Sequence, residues 1–192
     1  MNSTIFLSLT TLLATGFLQA ASADGYFLQT DVGGRTQSFV ASTSRGPLSF
    51  GLNLSNYEDG RSGAISATYA FPVEGVATFK LGPTVGFKRD DDGTRDTKAG
   101  ARLAVDRWTA TSFGSAYALA EASTVHRSWF LLGQVTFAPA NIGIELSRGG
   151  SDDYHETTLA VQKRLGDGPV SLRLGYKLSS EELFAGFSIN TF

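Results

Sequence analysis

From Asp24 onward, apolar and polar residues alternate with a period of two, the pattern of strands with one greasy and one wet face. The clearest run is 170–178, where Val170, Leu172, Leu174, Tyr176 and Leu178 share one face and Ser171, Arg173, Gly175 and Lys177 the other. A second places Ala77, Phe79, Leu81, Val85 and Phe87 opposite Thr78, Lys80, Gly82, Thr84 and Gly86. Similar alternation marks 48–55, 142–147 and 156–165, whereas helical stripes are nearly absent. The pattern predicts strands near 25–33, 35–43, 47–57, 63–71, 75–88, 97–108, 114–125, 128–138, 141–149, 154–165, 169–178 and 182–192. Ten strands is the alternative, if 25–43 is one kinked strand rather than a hairpin at Gly33-Gly34.

The turns divide into two alternating sets. RGP (45–47), FPVEG (71–75), 109–114, APAN (138–141) and GDGP (166–169) hold four of the five prolines and read as tight turns. EDGRS (58–62), RDDDGTRD (89–96), VHRS (125–128), GGSDD (149–153) and SSEE (179–182) are longer or more acidic and read as exposed loops of the opposite end. Pro83 falls inside a strand, where it removes a ladder donor and predicts a bulge. The apolar faces have no obvious second layer to bury them. An antiparallel, up-and-down transmembrane β-barrel satisfies them with lipid and leaves no open edge. A secreted soluble β-sandwich is the competing all-β fold.

Residues 1–23 lack charged side chains, are apolar from Ile5 to Leu18, and end in Ala21-Ser22-Ala23, a pattern resembling a secretory signal peptide cleaved before Asp24. The mature region, 24–192, is then one barrel domain. A net charge of −2 gives no case for nucleic acid. The absence of cysteine excludes disulfides and thiolate chemistry. No cofactor or metal pattern is present: Asp90-Asp91-Asp92-Gly93 lacks the ligand spacing of a calcium loop and reads as a solvated turn.

The leader, the amphipathic strands and the terminal Phe192 together resemble small bacterial outer-membrane β-barrel proteins of porin-like type. The resemblance implies export through the periplasm to the outer membrane, contact with its lipids, and recognition of Phe192 by the barrel-assembly machinery. Asn190 and Ser188 share the face of Phe192 while Phe187 and Ile189 lie opposite, an imperfect signal whose register a bulge near Asn190 would repair. Small solutes or ions are the expected cargo if the lumen is open; a plugged envelope component is the other form of the same reading.

The enzymatic alternative rests on His126 and Ser128, whose H-x-S spacing resembles lipid-A deacylases, with histidine as base and serine as nucleophile. Thr124 and Trp129 replace that family's flanking phenylalanine and asparagine, and Glu121 or Glu145 would have to orient the imidazole. Geometry decides this: the hydrolase needs both side chains within about 3 Å, with a carboxylate behind the histidine. His155 reads as a rim residue whose neighbour Glu156 points to the other face.

Strand parity directs Lys80, Lys88, Lys98, Arg102, Arg164, Arg173 and Lys177 inward with Asp31, Asp106, Glu145 and Glu156. That positive excess predicts either a polar plug or a narrow, mildly anion-preferring lumen in which Arg102 and Arg173 set ion preference. Leu172 and Leu174 should face mid-bilayer, and Gly175→Ser should be tolerated where the lumen has room. Trp108, Tyr26, Phe71 and Phe137 at one rim, with Trp129, Tyr154 and Phe87 at the other, are expected to form aromatic girdles.

Overall fold

The computed structural model describes residues 24–152 and 154–192; the expected leader, 1–23, lies outside them. Twelve strands follow in order: β1 (Gly25–Gly33), β2 (Gln37–Arg45), β3 (Leu48–Tyr57), β4 (Gly60–Val73), β5 (Ala77–Asp90), β6 (Arg95–Thr111), β7 (Gly114–Ser123), β8 (Trp129–Phe137), β9 (Ile142–Gly150), β10 (His155–Arg164), β11 (Val170–Lys177) and β12 (Glu182–Asn190). Each pairs antiparallel with its neighbours in sequence, and β1 closes on β12 from Phe27↔Asn190 to Gly33↔Phe184. Closure removes every open edge, which a surface bathed in hydrocarbon requires.

The ten-strand alternative fails because β1 and β2 are separate strands paired from Gly25↔Ser44 to Val32↔Gln37. The sandwich fails because one sheet curls onto itself with no second layer. Burial is inverted relative to a soluble protein. Leu183, Leu174 and Ile65 are 67%, 62% and 59% exposed, whereas Arg173 is 4% exposed. Among the described residues the buried apolar set is Ala70, Ala104, Val125, Ala160 and Phe184, too little for a conventional core.

Three local expectations are corrected. The strand holding Pro83 has no bulge: β4 and β5 pair Ser66↔Thr84 and Tyr69↔Leu81, so the register resumes unchanged across the proline. Pro83 faces outward opposite Ala101 on β6, and the ladder forgoes one bond rather than shifting. The EDGRS segment is no extended loop, since Tyr57↔Gly60 closes a hairpin over Glu58-Asp59; Gly60, with φ 149°, makes that closure. The bulge expected near Asn190 is absent too. β12 keeps its register through Asn190, and the Phe192 ring, past the strand end, lies against the inward side of Gly25.

The aromatic girdles are partly redrawn. Register turns Tyr26, Phe71, Phe87, Trp129 and Phe137 outward. Trp108 instead pairs with Tyr117 on the inner face, and Tyr154 donates to Glu156 Oε2 at 3.4 Å.

Candidate functional site: the lumen and its outer mouth

Parity along the paired strands turns Lys80, Lys88, Lys98, Arg102, Arg164, Arg173 and Lys177 to the inner face, with Asp31, Asp106, Glu145 and Glu156. The expected positive excess is overturned. Asp90, Asp96, Glu121 and Glu182 share that face, so among the described strand residues four carboxylates become eight against seven cations. Glu121 eluded the sequence reading because β7 alternates alanine with larger residues: Ala116, Ala118, Ala120 and Ala122 give the outward face too little hydropathic contrast to orient it.

The inward charges form ion pairs that stitch distant strands. Arg173 on β11 donates from Nε to Asp31 Oδ1 of β1 at 3.0 Å and from Nη1 to Glu145 Oε2 of β9 at 2.9 Å. Its Nη1 also reaches Gln162 Oε1 on β10 at 3.3 Å, so one guanidinium ties four strands. Across the barrel, Arg102 on β6 pairs with Glu121 on β7 and donates to Ser66 Oγ on β4 at 3.1 Å. Lys80 Nζ lies 2.8 Å from Asp106 Oδ1. Near the end that carries neither terminus, Lys177 donates to Thr36, and Glu182 accepts from the Thr36 amide at 3.1 Å and hydroxyl at 2.5 Å. Glu156 accepts from the Ser179 and Ser180 amides at 2.7 and 3.1 Å, which fixes the β11–β12 turn. Arg164 stands exposed at the opposite mouth. Buried charges are tolerated only with such partners.

The connection between β7 and β8 turns into the barrel instead of away from it. Its 3₁₀ turn, Val125–Arg127, carries His126 and Arg127 at φ 51° and 45°, the left-handed region. The turn seats over Gly86 and Gly100, both on the inner face: a Cβ at Gly86 would stand 2.9 Å from Val125 Cγ1, and one at Gly100 would overlap Thr124. The backbone anchors the seat, with Thr124 N–H donating to Ala101 O at 3.0 Å and Asp152 N–H to His126 O at 3.2 Å. Lys88 reaches from β5 to Ser151 Oγ at 3.1 Å. Above the turn opens a recess of about 520 Å³ lined by Lys98, Thr124, His126, Arg127 and Asp152. A second, about 270 Å³, lies at the other mouth beside Trp108 and Asp106.

His126 and Ser128 are not brought together as a catalytic pair. Ser128 Oγ donates to Val125 O at 3.0 Å. His126 Nδ1 sits 3.5 Å from Asp96 Oδ2, and Nε2 is buried with no hydrogen-bond partner among the described residues. The carboxylate behind the imidazole is Asp96; Glu121 and Glu145 are held by Arg102 and Arg173. Burial pushes the His126 imidazole below its ordinary pKa, and Lys88 adds to the effect. The acidic turn is self-contained: Thr94 N–H donates to Asp92 Oδ1 at 2.8 Å and holds that carboxyl below its usual range. Among the described residues no group of three metal-ligating side chains occurs.

The lumen is also tighter at Gly175 than strand parity implied. A Cβ there would meet the Phe184 ring and stand 2.7 Å from the Leu159 carbonyl oxygen. The expected tolerance of Gly175→Ser is therefore withdrawn, because a backbone atom cannot yield as a flexible side chain does.

No family model and no curated protein matches the chain. Among solved structures, KdgM porin is similar in fold, with a TM-score of 0.52 and 11% sequence identity over 86% of this chain and 98% of that one. At that identity the likeness concerns the closed antiparallel barrel.

Proposed function

We propose that the chain is a non-enzymatic outer-membrane barrel acting as a narrow pore for small hydrophilic solutes, constricted at its outer mouth by the β7–β8 turn. The observation that carries the reading is the inverted barrel: an apolar outer wall around a lumen of paired charges. The paired charges keep the passage polar without strong net sign, and the seated turn narrows it. Likeness to a porin supports the same reading, as does the absence of a hydrogen bond between His126 and Ser128. The orientation that follows places both termini at the periplasmic side and the 125–127 turn at the cell surface.

The test has two steps. The protein should fractionate with outer membranes and run anomalously on gels when unheated. Purified barrels should give small, reproducible conductance steps in planar bilayers. Recovery as a soluble periplasmic protein rejects the barrel reading, and a folded membrane barrel that never conducts rejects the pore.

A further inference from the structure

We infer that the outer wall carries a binding site for the phosphorylated headgroup of a membrane lipid, built from Arg61, Arg89 and Arg95. The inference rests on the membrane reading above and adds a partner to it. Arg61 on β4 pairs directly with Arg89 on β5, which pairs directly with Arg95 on β6. All three share the outward face, because their strands also place Gly63, Phe87 and Thr97 in register on that face. Three arginines thus leave neighbouring strands side by side, in a row spanning about 10 Å of sheet.

Like charges directly opposite one another oppose strand pairing. No carboxylate relieves them: among the described residues none of the three has an acidic partner within 4.0 Å. Three of the acids near them in sequence are engaged elsewhere or turned away. Glu58 lies 3.8 Å from Arg35, Asp92 accepts the Thr94 amide, and Asp90 is on the inner face. The segregation extends over the sheet: every carboxylate carried by a strand faces the lumen, while the outward charges of the strands are all cations.

Height identifies the anion. On β5 the outward residues Phe79, Leu81, Pro83, Val85 and Phe87 precede Arg89. Phe79 to Phe87 covers about 27 Å of strand, or about 20 Å along the membrane normal at a barrel's tilt. Arg89 therefore emerges where an apolar band gives way to headgroups, and Arg95 packs over the Phe87 ring at 5.9 Å, which fixes it at that boundary. Forked guanidinium donors match phosphate oxygens two at a time, and a phosphomonoester carries the greater charge of the common lipid phosphates. A lipid at this height presents such a group with its acyl chains along Val85 and Ile65.

The experiment uses the purified full barrel in neutral detergent, with native mass spectrometry to count bound lipid. The probes are phosphatidic acid, phosphatidylcholine and inorganic phosphate. Wild-type barrel should retain phosphatidic acid about tenfold more than phosphatidylcholine, the preference a charge-assisted site confers. Arg61→Gln/Arg89→Gln/Arg95→Gln should abolish that preference, whereas Arg148→Gln, elsewhere on the outer face, should keep it. Should the triple variant fail to fold, Arg89→Gln alone, which removes the central member, should lower the preference. Retention of phosphatidic acid by folded triple or Arg89 variants at the wild-type level overturns the inference. So does displacement by millimolar inorganic phosphate, which would make the row a site for the free anion. Loss of the membrane-barrel reading shows separately, as wild-type protein that does not fractionate with membranes.

Discussion

The two faces of β11 pose their constraints one residue at a time. Leu174 is 62% exposed on the outer wall, so arginine there should cost about 2–4 kcal/mol at mid-bilayer. Gly175 beside it fails for a different reason, contact with the Phe184 ring and the Leu159 carbonyl. Both Leu174→Arg and Gly175→Ser should lower the yield of the heat-modifiable form, while Gly175→Ser/Phe184→Ala should recover part of it. Equal behaviour of single and double serine variants would place the steric conflict elsewhere. Arg173 is the more consequential position, since its loss leaves Asp31 and Glu145 buried without their partner. Arg173→Gln should destabilise the folded barrel by about 3–5 kcal/mol, read from urea-induced unfolding in micelles, with partial recovery on adding Glu145→Gln. That Arg173 points inward was legible from the sequence; that it joins four strands was not, because strand parity gives the face but not the partner across the lumen.

At the scale of elements, strand number and turn side followed from alternation and from where proline and acidic residues cluster. The strands extend past their expected boundaries where polar residues continue a ladder, as at Gly60–Ser62. The inward β7–β8 turn left no such trace, because its seat depends on glycines in β5 and β6 far from it in sequence. Gly100→Val should displace Thr124 and enlarge conductance; unchanged single-channel current would mean the turn does not constrict the passage. A pH dependence follows from His126, which belongs to the turn and not to a spanning strand. Lys88 and Lys98 oppose its protonation, Asp96 and Asp152 favour it, and burial is the largest effect, so the seated turn prefers neutral imidazole. An unseated turn takes up the proton first. The seat is thus most stable above about pH 6.5 and weakens as pH falls below it. Cleavage by trypsin after Arg127 should quicken between pH 7.5 and 5.5 after correction for the protease's own profile, and His126→Gln should flatten the response.

For the whole molecule, the interior charge balance decides what the passage prefers. Sequence parity alone implied an anion bias, because the acidic members Asp90, Asp96, Glu121 and Glu182 went unassigned to the inner face. With eight inward carboxylates against seven cations among the described strand residues, wild-type channels should discriminate weakly between small cations and anions. The pairs give single substitutions opposite signs. Arg102→Gln frees Glu121 on the lumen wall, whereas Glu121→Gln frees Arg102 beside Ser66. Fixed charge in a narrow passage biases the permeating ion, so the first variant should move the reversal potential in a potassium chloride gradient toward cation selectivity and the second toward anion selectivity. Combining both substitutions should return the potential close to wild type, because the net interior charge is restored. Shifts of the same sign in both single variants, or none in either, would reject the Arg102–Glu121 pair as part of the conducting surface.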